Sequence, residues 1–239
     1  MASLPADRAH PAGWVLSDLL LVAGALACGC ALALLAQRVW LAPLSGSLAG
    51  AQPKAYWFLS RASGQVAFGV LSLATALGLL VTGRVAPRWP GGPAAVDLHR
   101  HLSLLAVAFS AFHALILLGD AYIAYTVPQL LVPFHSDNYR PLWIGLGQVA
   151  LYLLLADALS VYVRQRIGYR AWRLLHYLSF AVYLLSLGHG VLSGSDSADP
   201  WAAAAYWGSG GTVLFLLLYR VLVARLARRP RHAPARPAD

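Results

Sequence analysis

Four histidines, His99, His113, His176 and His189, lie in two apolar stretches that are each long enough to cross a bilayer. The first two are fourteen residues apart and the second two thirteen. An ionisable side chain at membrane depth is expensive, so it marks a functional site by default. Neutral imidazole suits iron, and neither stretch offers a thiolate or carboxylate in its place. Fourteen residues at about 1.5 Å per residue separate two levels by roughly 20 Å. The two stretches run in the same direction across the membrane, which pairs His99 with His176 and His113 with His189. This pattern points to axial ligands for two stacked haems and to electron transfer through the bilayer.

The angles fit unequally. At about 100° per residue, His113 falls about 40° from the face of His99, but His189 falls roughly 140° from His176. The second helix is therefore expected to bend or unwind, with Gly188 and Gly190 beside His189 as the place for it, or its two haems lie on different sides of it. His101 competes for the inner position. It lies about 120° off the face of His113, so His99 is preferred, and His101 is left to headgroups or a propionate. His10, His135 and His232 fall in polar loops or tails and read as solvated.

The elements that must carry these residues follow from composition. Of 239 residues, 59% are hydrophobic and 11% charged, against about 25% charged in a soluble domain. Six spans are expected near Trp14–Ala36, Leu59–Val81, Leu98–Gly119, Leu142–Val163, Ala171–Leu192 and Ala203–Ala224, giving an all-α integral membrane bundle. Residues 1–13 precede the spans, 14–224 contain them, and 225–239 form a basic tail without packed structure that can lie against anionic lipid. The first stretch exceeds the about 7–15 residues of a signal-peptide core and is read as a retained span.

Orientation rests on the basic residues. With both termini inside, Arg8, Arg84, Arg88, Arg100, Arg164, Arg166, Arg170, Arg173 and six arginines from Arg220 to Arg236 are cytoplasmic, fourteen of the 18 basic residues. The expected location is a cell's inner membrane. The net charge of +9 is thus topological, and nucleic acid is excluded as a partner because no soluble basic face exists. All nine acidic residues are aspartate.

Other residues add detail. Arg100, Arg170 and Arg173 sit at the inner ends of the histidine-bearing helices, where arginine forks suit haem propionates. Arg61 and Gln65 stand at the outer end of the second span, in position for the outer propionates. Asp157, near the inner end of the fourth span, is expected to meet Arg100 or Arg173 or to reach the interface. Cys28 and Cys30 point to different sides of one helix and read as small apolar packing. No CxxCH occurs, which excludes covalent haem attachment. Gly208-Ser209-Gly210-Gly211 lies inside a span, so it reads as close helix packing rather than a nucleotide loop.

The stretch Leu98-His99-Arg100-His101-Leu102-Ser103-Leu104-Leu105 through His113, with Gly168-Tyr169-Arg170-Ala171-Trp172-Arg173-Leu174-Leu175-His176-Tyr177-Leu178-Ser179-Phe180, resembles the ferric reductase-like transmembrane domain. Ser63-Gly64 and Gly188-His189-Gly190 are similar to it as well. That superfamily includes NADPH oxidases, ferric-chelate reductases and the haem-binding membrane subunit of the bacterial methionine sulfoxide reductase system. The resemblance covers roughly residues 55–225. It implies two b-type haems held by the third and fifth of six spans, with His99, His113, His176 and His189 as ligands. Larger members continue into a flavin- and nicotinamide-binding region, whereas here a basic tail follows the last span.

The expectation is a membrane cytochrome subunit and component of an oxidoreductase. A separate cytoplasmic flavoprotein carrying FAD or FMN, or the quinone pool, would supply electrons. Ferric chelate, dioxygen or a periplasmic reductase would take them at the outer face. Two rivals stand beside it: a quinone-linked cytochrome b subunit of a dehydrogenase complex, and a haem-free transporter or scaffold. A transporter is expected to show matching repeats, and none is evident.

Overall fold

The computed structural model describes residues 54–82, 92–121 and 123–227. The chain divides into two units, Met1–Ala55 and Tyr56–Asp239, and the four histidines lie in the second. The expected first span, both cysteines, Arg84, Arg88 and the basic tail from residue 228 onward lie outside the described residues.

The elements are all helical: α1 (Ala55–Thr82), α2 (Gly92–Leu115) continued by a 3-10 turn at Ile116–Gly119, short α3 (Val127–Leu131), α4 (Pro141–His176), α5 (Leu178–Ser193) and α6 (Pro200–Ala227). Among the described residues, four stretches are long and apolar enough to cross a membrane: Ala55–Thr82, Gly92–Gly119, Pro141–Ser193 and Pro200–Leu226. Large apolar side chains such as Leu73, Leu159, Leu184, Trp207 and Phe215 stand exposed. On a protein in water such a surface would be an aggregation hazard; in lipid it is solvated. The protein is a helical membrane protein.

The third stretch has 53 residues, about 80 Å if straight and more than twice a hydrocarbon core. It is folded back at Gly168, whose φ of 81° and ψ of 156° lie in a region only glycine occupies without strain. Two limbs result, and contacts between them show that they are antiparallel. Arg164 lies over the Trp172 ring at 5.3 Å, Asp157 meets His176, and the Tyr139 hydroxyl donates to the Ser193 carbonyl at 3.1 Å. The expected spans near Leu142–Val163 and Ala171–Leu192 are these limbs. The loop expected between them is helix on both sides of one residue.

Other boundaries shift modestly. Helix α2 begins at Gly92 rather than near Leu98, and α6 extends to Ala227. The short α3, absent from the sequence reading, starts where the Thr126 N–H donates to the Gln129 side chain at 3.0 Å, with Pro128 in its first turn.

Polar side chains inside the spans are satisfied locally. Ser72, Thr75 and Thr82 each donate to the carbonyl four residues back. Ser209 donates to Ser72 at 2.9 Å and pairs with the Tyr183 hydroxyl at 2.6 Å, tying α1, α5 and α6 together. The close packing expected of the surrounding glycines is not found: a Cβ at Gly208 or Gly211 would meet nothing within 4 Å, and one at Gly210 only Leu187 at 3.9 Å. The serine, not the glycines, makes the contact.

Gly168→Ala is expected to cost about 1–3 kcal/mol, because alanine is strained at that φ and ψ. Gly208→Ala, in open helix surface, should be neutral or slightly stabilising. Thermal unfolding of both variants in detergent checks the contrast.

Candidate functional site

Helices α2, α4 and α5 bring the four histidines together two by two. The ring centres of His99 and His176 are 6.1 Å apart, and so are those of His113 and His189. The ring planes within each pair are inclined at 88° and 73°. Two imidazoles bound on opposite sides of one metal, each with a bond of about 2 Å, have ring centres roughly 6 Å apart. Between the two levels lies a packed layer of Leu71, Ala106, Leu154 and Val182, all buried. Leu71 and Ala106 sit midway along their helices between the levels.

Each ring is anchored through Nδ1. His99 meets the Ala74 carbonyl at 2.9 Å, His113 the Ser60 carbonyl at 2.7 Å and His189 the Trp143 carbonyl at 2.9 Å. A carbonyl oxygen only accepts, so Nδ1 must carry the proton and Nε2 the lone pair. His176 does the same with the Asp157 carboxylate at 3.1 Å. No Nε2 of the four bonds to another described residue. This is the second-shell arrangement that orients a metal-binding imidazole.

Glycines make room for three of the rings. A Cβ at Gly78 would lie 3.1 Å from the His99 ring, one at Gly64 2.9 Å from His113, and one at Gly147 2.5 Å from His189. In each case the carbonyl that accepts from Nδ1–H belongs to the residue four positions before the glycine. One helix turn therefore supplies both the flat seat and the anchor. Ser63-Gly64 was visible in the sequence; Gly78 and Gly147 sit unmarked in apolar runs. Their fourteen-residue spacing from Gly64 in one case, and their alignment with the histidines, is the signal that would have found them.

The chain leaves regular helix at Tyr177, not at Gly188 and Gly190. Tyr177 interrupts the helix directly after His176. Its N–H bonds the Leu174 carbonyl three residues back, and the Phe180 N–H bonds the Tyr177 carbonyl in the same way. Such tight turns overwind the chain relative to an α-helix. Residues 178–193 are then regular helix. Gly190 instead faces Tyr206, 2.9 Å from where its Cβ would stand.

The remaining expected residues fall as follows. His101 is exposed and its Nδ1 bonds the Asp97 carbonyl on its own helix at 2.7 Å. Arg100 and Arg170 are exposed, and Arg173 donates through Nε to the Tyr177 hydroxyl at 3.1 Å. Asp157 meets neither Arg100 nor Arg173, because its carboxylate is turned to His176. Trp172 stacks on the His176 ring, centres 5.2 Å apart and 12° from parallel. Around His113 and His189 lies a mostly apolar cavity of about 370 Å³ that also reaches Arg61, Gln65, Tyr125 and Tyr206. Arg61 is ion-paired with Asp196, and Gln65 donates to the Tyr206 hydroxyl at 3.1 Å.

Among the described residues no three His, Cys, Asp or Glu side chains converge as a set of metal ligands. A bare zinc ion needs about four protein ligands. A pair of facing imidazoles could instead hold a metal whose other ligands come from a cofactor such as a porphyrin.

The family described as ferric reductase like transmembrane component matches residues 63–187, a little over half of the chain. The chain belongs to that family. The matched region holds His99, His113 and His176 and stops two residues short of His189. No curated protein and no solved structure matches the chain.

The Ser60 hydroxyl, buried beside His113, donates to the His113 carbonyl at 3.2 Å and lies 3.1 Å from its Nδ1. Ser60→Ala is expected to lower stability by about 1 kcal/mol. His101→Ala should change it by less than about 0.5 kcal/mol. Paired thermal melts in one detergent check both.

Proposed function

We propose that this member of the ferric reductase-like family carries electrons singly across a membrane, as the cytochrome subunit of an oxidoreductase with two b-type haems. The observation that carries the reading is the pair of 6.1 Å imidazole couples, each with its Nδ1 protons spoken for. His99 and His176 hold one group and His113 and His189 the other. A bound haem supplies a one-electron iron couple, which is chemistry the side chains themselves do not have.

The chain's own residues do the rest. The carbonyls of Ala74, Ser60 and Trp143 and the Asp157 carboxylate fix each ligand's tautomer and heading. Gly64, Gly78 and Gly147 let the rings sit back against the neighbouring helix. Leu71, Ala106, Leu154 and Val182 keep water from the space between the two levels. Arg100, Arg170 and Arg173, exposed on the stretches that bear His99 and His176, would meet propionates at the cytoplasmic end.

The complete bundle is six spans in this reading, with Trp14–Ala36 as the first and both termini in the cytoplasm of a cell bounded by that membrane. Electrons enter at the His99–His176 level from a separate flavoprotein carrying FAD or FMN, or from quinol. They leave at the His113–His189 level to an acceptor at the outer face, such as ferric chelate, dioxygen or a periplasmic reductase.

Dithionite-reduced minus oxidised spectra with haem quantitation are expected to give about two b-haems per purified chain. His99→Ala and His176→Ala should each lose one haem, and His113→Ala and His189→Ala the other, while His101→Ala keeps both. Gly78→Val should reproduce His99→Ala, and Gly64→Val should reproduce His113→Ala. Wild-type protein that stays colourless when given haem would overturn the reading.

A further inference from the structure

The anchors of the four imidazoles follow one rule with one exception, and the exception carries a charge. On α1 the carbonyl and glycine are Ser60 and Gly64 at one level and Ala74 and Gly78 at the other, fourteen residues on. On the first limb of α4 they are Trp143 and Gly147 at the level of His189. Fourteen residues on from these stand Asp157 and Val161. The seat has no glycine there, and the anchor is no longer the main chain: the Asp157 side chain accepts the hydrogen bond from His176 Nδ1–H.

Asp157 is the sole acidic residue of the Pro141–Ser193 stretch, and its side chain is 10% exposed. A carboxylate kept at this depth is costly unless it serves a partner. The one described side chain its carboxylate bonds is His176. Ser160 donates to the Asp157 main-chain carbonyl, not to the carboxylate. A charged acceptor bonds an imidazole N–H more strongly than a neutral carbonyl does and makes the ring a better electron donor through Nε2.

We propose that Asp157 is a positioning residue that makes the His99–His176 centre electronically different from the His113–His189 centre, lowering its reduction potential. The inference rests on the haem reading above. Stronger donation from His176 favours the ferric over the ferrous state of whatever iron it binds. The other three imidazoles, each held by a carbonyl, lack this push. The centre nearest the proposed electron entry is then the more reducing of the two, and transfer to the other level runs downhill.

The test is a redox titration of the purified, haem-loaded full chain, with electron paramagnetic resonance of the ferric centres, for wild type, Asp157→Asn and Asp157→Glu. Asp157→Asn is expected to weaken the preference for the ferric state about tenfold at one centre, an upward shift of about 59 mV for a one-electron couple. The second potential should stay in place, and Asp157→Glu should return the first towards wild type. Repeating the titration in a His113→Ala background assigns the shifted potential to the His99–His176 centre. Should Asp157→Asn lose that haem alone while Asp157→Glu keeps it, the anchoring role is supported as well.

Unchanged potentials and resonance signals in Asp157→Asn overturn the proposal. So does an equal shift of both centres, or equal loss of haem in the Asn and Glu variants. A wild-type protein that binds no haem takes down the functional reading itself, which is a different result from two haems indifferent to residue 157.

Discussion

The structure turns on where four protons sit. An imidazole offers one lone pair when neutral, and it lies on the ring nitrogen other than the one that donates its N–H to an acceptor. Here every Nδ1 faces an oxygen that can only accept, three main-chain carbonyls and one carboxylate. That choice leaves four Nε2 lone pairs, grouped in twos. Helix contacts elsewhere can be read as what is needed to hold the oxygens in those places.

Holding them calls for helices in register. The paired spacings on α1 and on the first limb of α4 repeat at fourteen residues, four turns at 3.5 residues per turn. An undistorted helix drifts about 20° per seven residues against such a repeat. The 40° offset between His99 and His113 is this drift. Seven residues from each level, at the half-way point, stand Leu71 and Ala106 in the apolar layer. The same repeat that places the polar anchors thus also places the dry partition between them.

Much of this was legible in the sequence because membrane helices have few choices. Apolar length fixed where helices run, and the direction of each run decided which histidines share a level. His99 and His176 do face each other, as do His113 and His189, and His101 is turned away. What the sequence hid was local. Tyr177 looks like any aromatic residue near an interface, yet the helix is interrupted there and not at Gly188 and Gly190. Gly168 reads as a loop residue, whereas it is a one-residue reversal inside continuous helix. Asp157 was legible as an intramembrane acid but not as a partner of His176, since that contact joins two limbs whose relative register depends on the reversal at Gly168. Helical periodicity reports one helix at a time; such contacts depend on two.

The two levels are alike in ligands and unlike in surroundings. His113 and His189 border a cavity whose rim includes the Arg61–Asp196 pair and the Tyr206 hydroxyl. His176 is backed by the indole of Trp172 and the Asp157 carboxylate, with arginines exposed on the same limb. Two equivalent stations would give a one-electron path no preferred direction, since the driving force between them would vanish. Placing a fixed negative charge behind one ligand and neutral carbonyls behind the other three breaks the equivalence at the cost of burying a single carboxylate. On the proposed reading, that carboxylate lets a nearly symmetric scaffold, built from one repeated turn of helix, conduct more readily one way than the other.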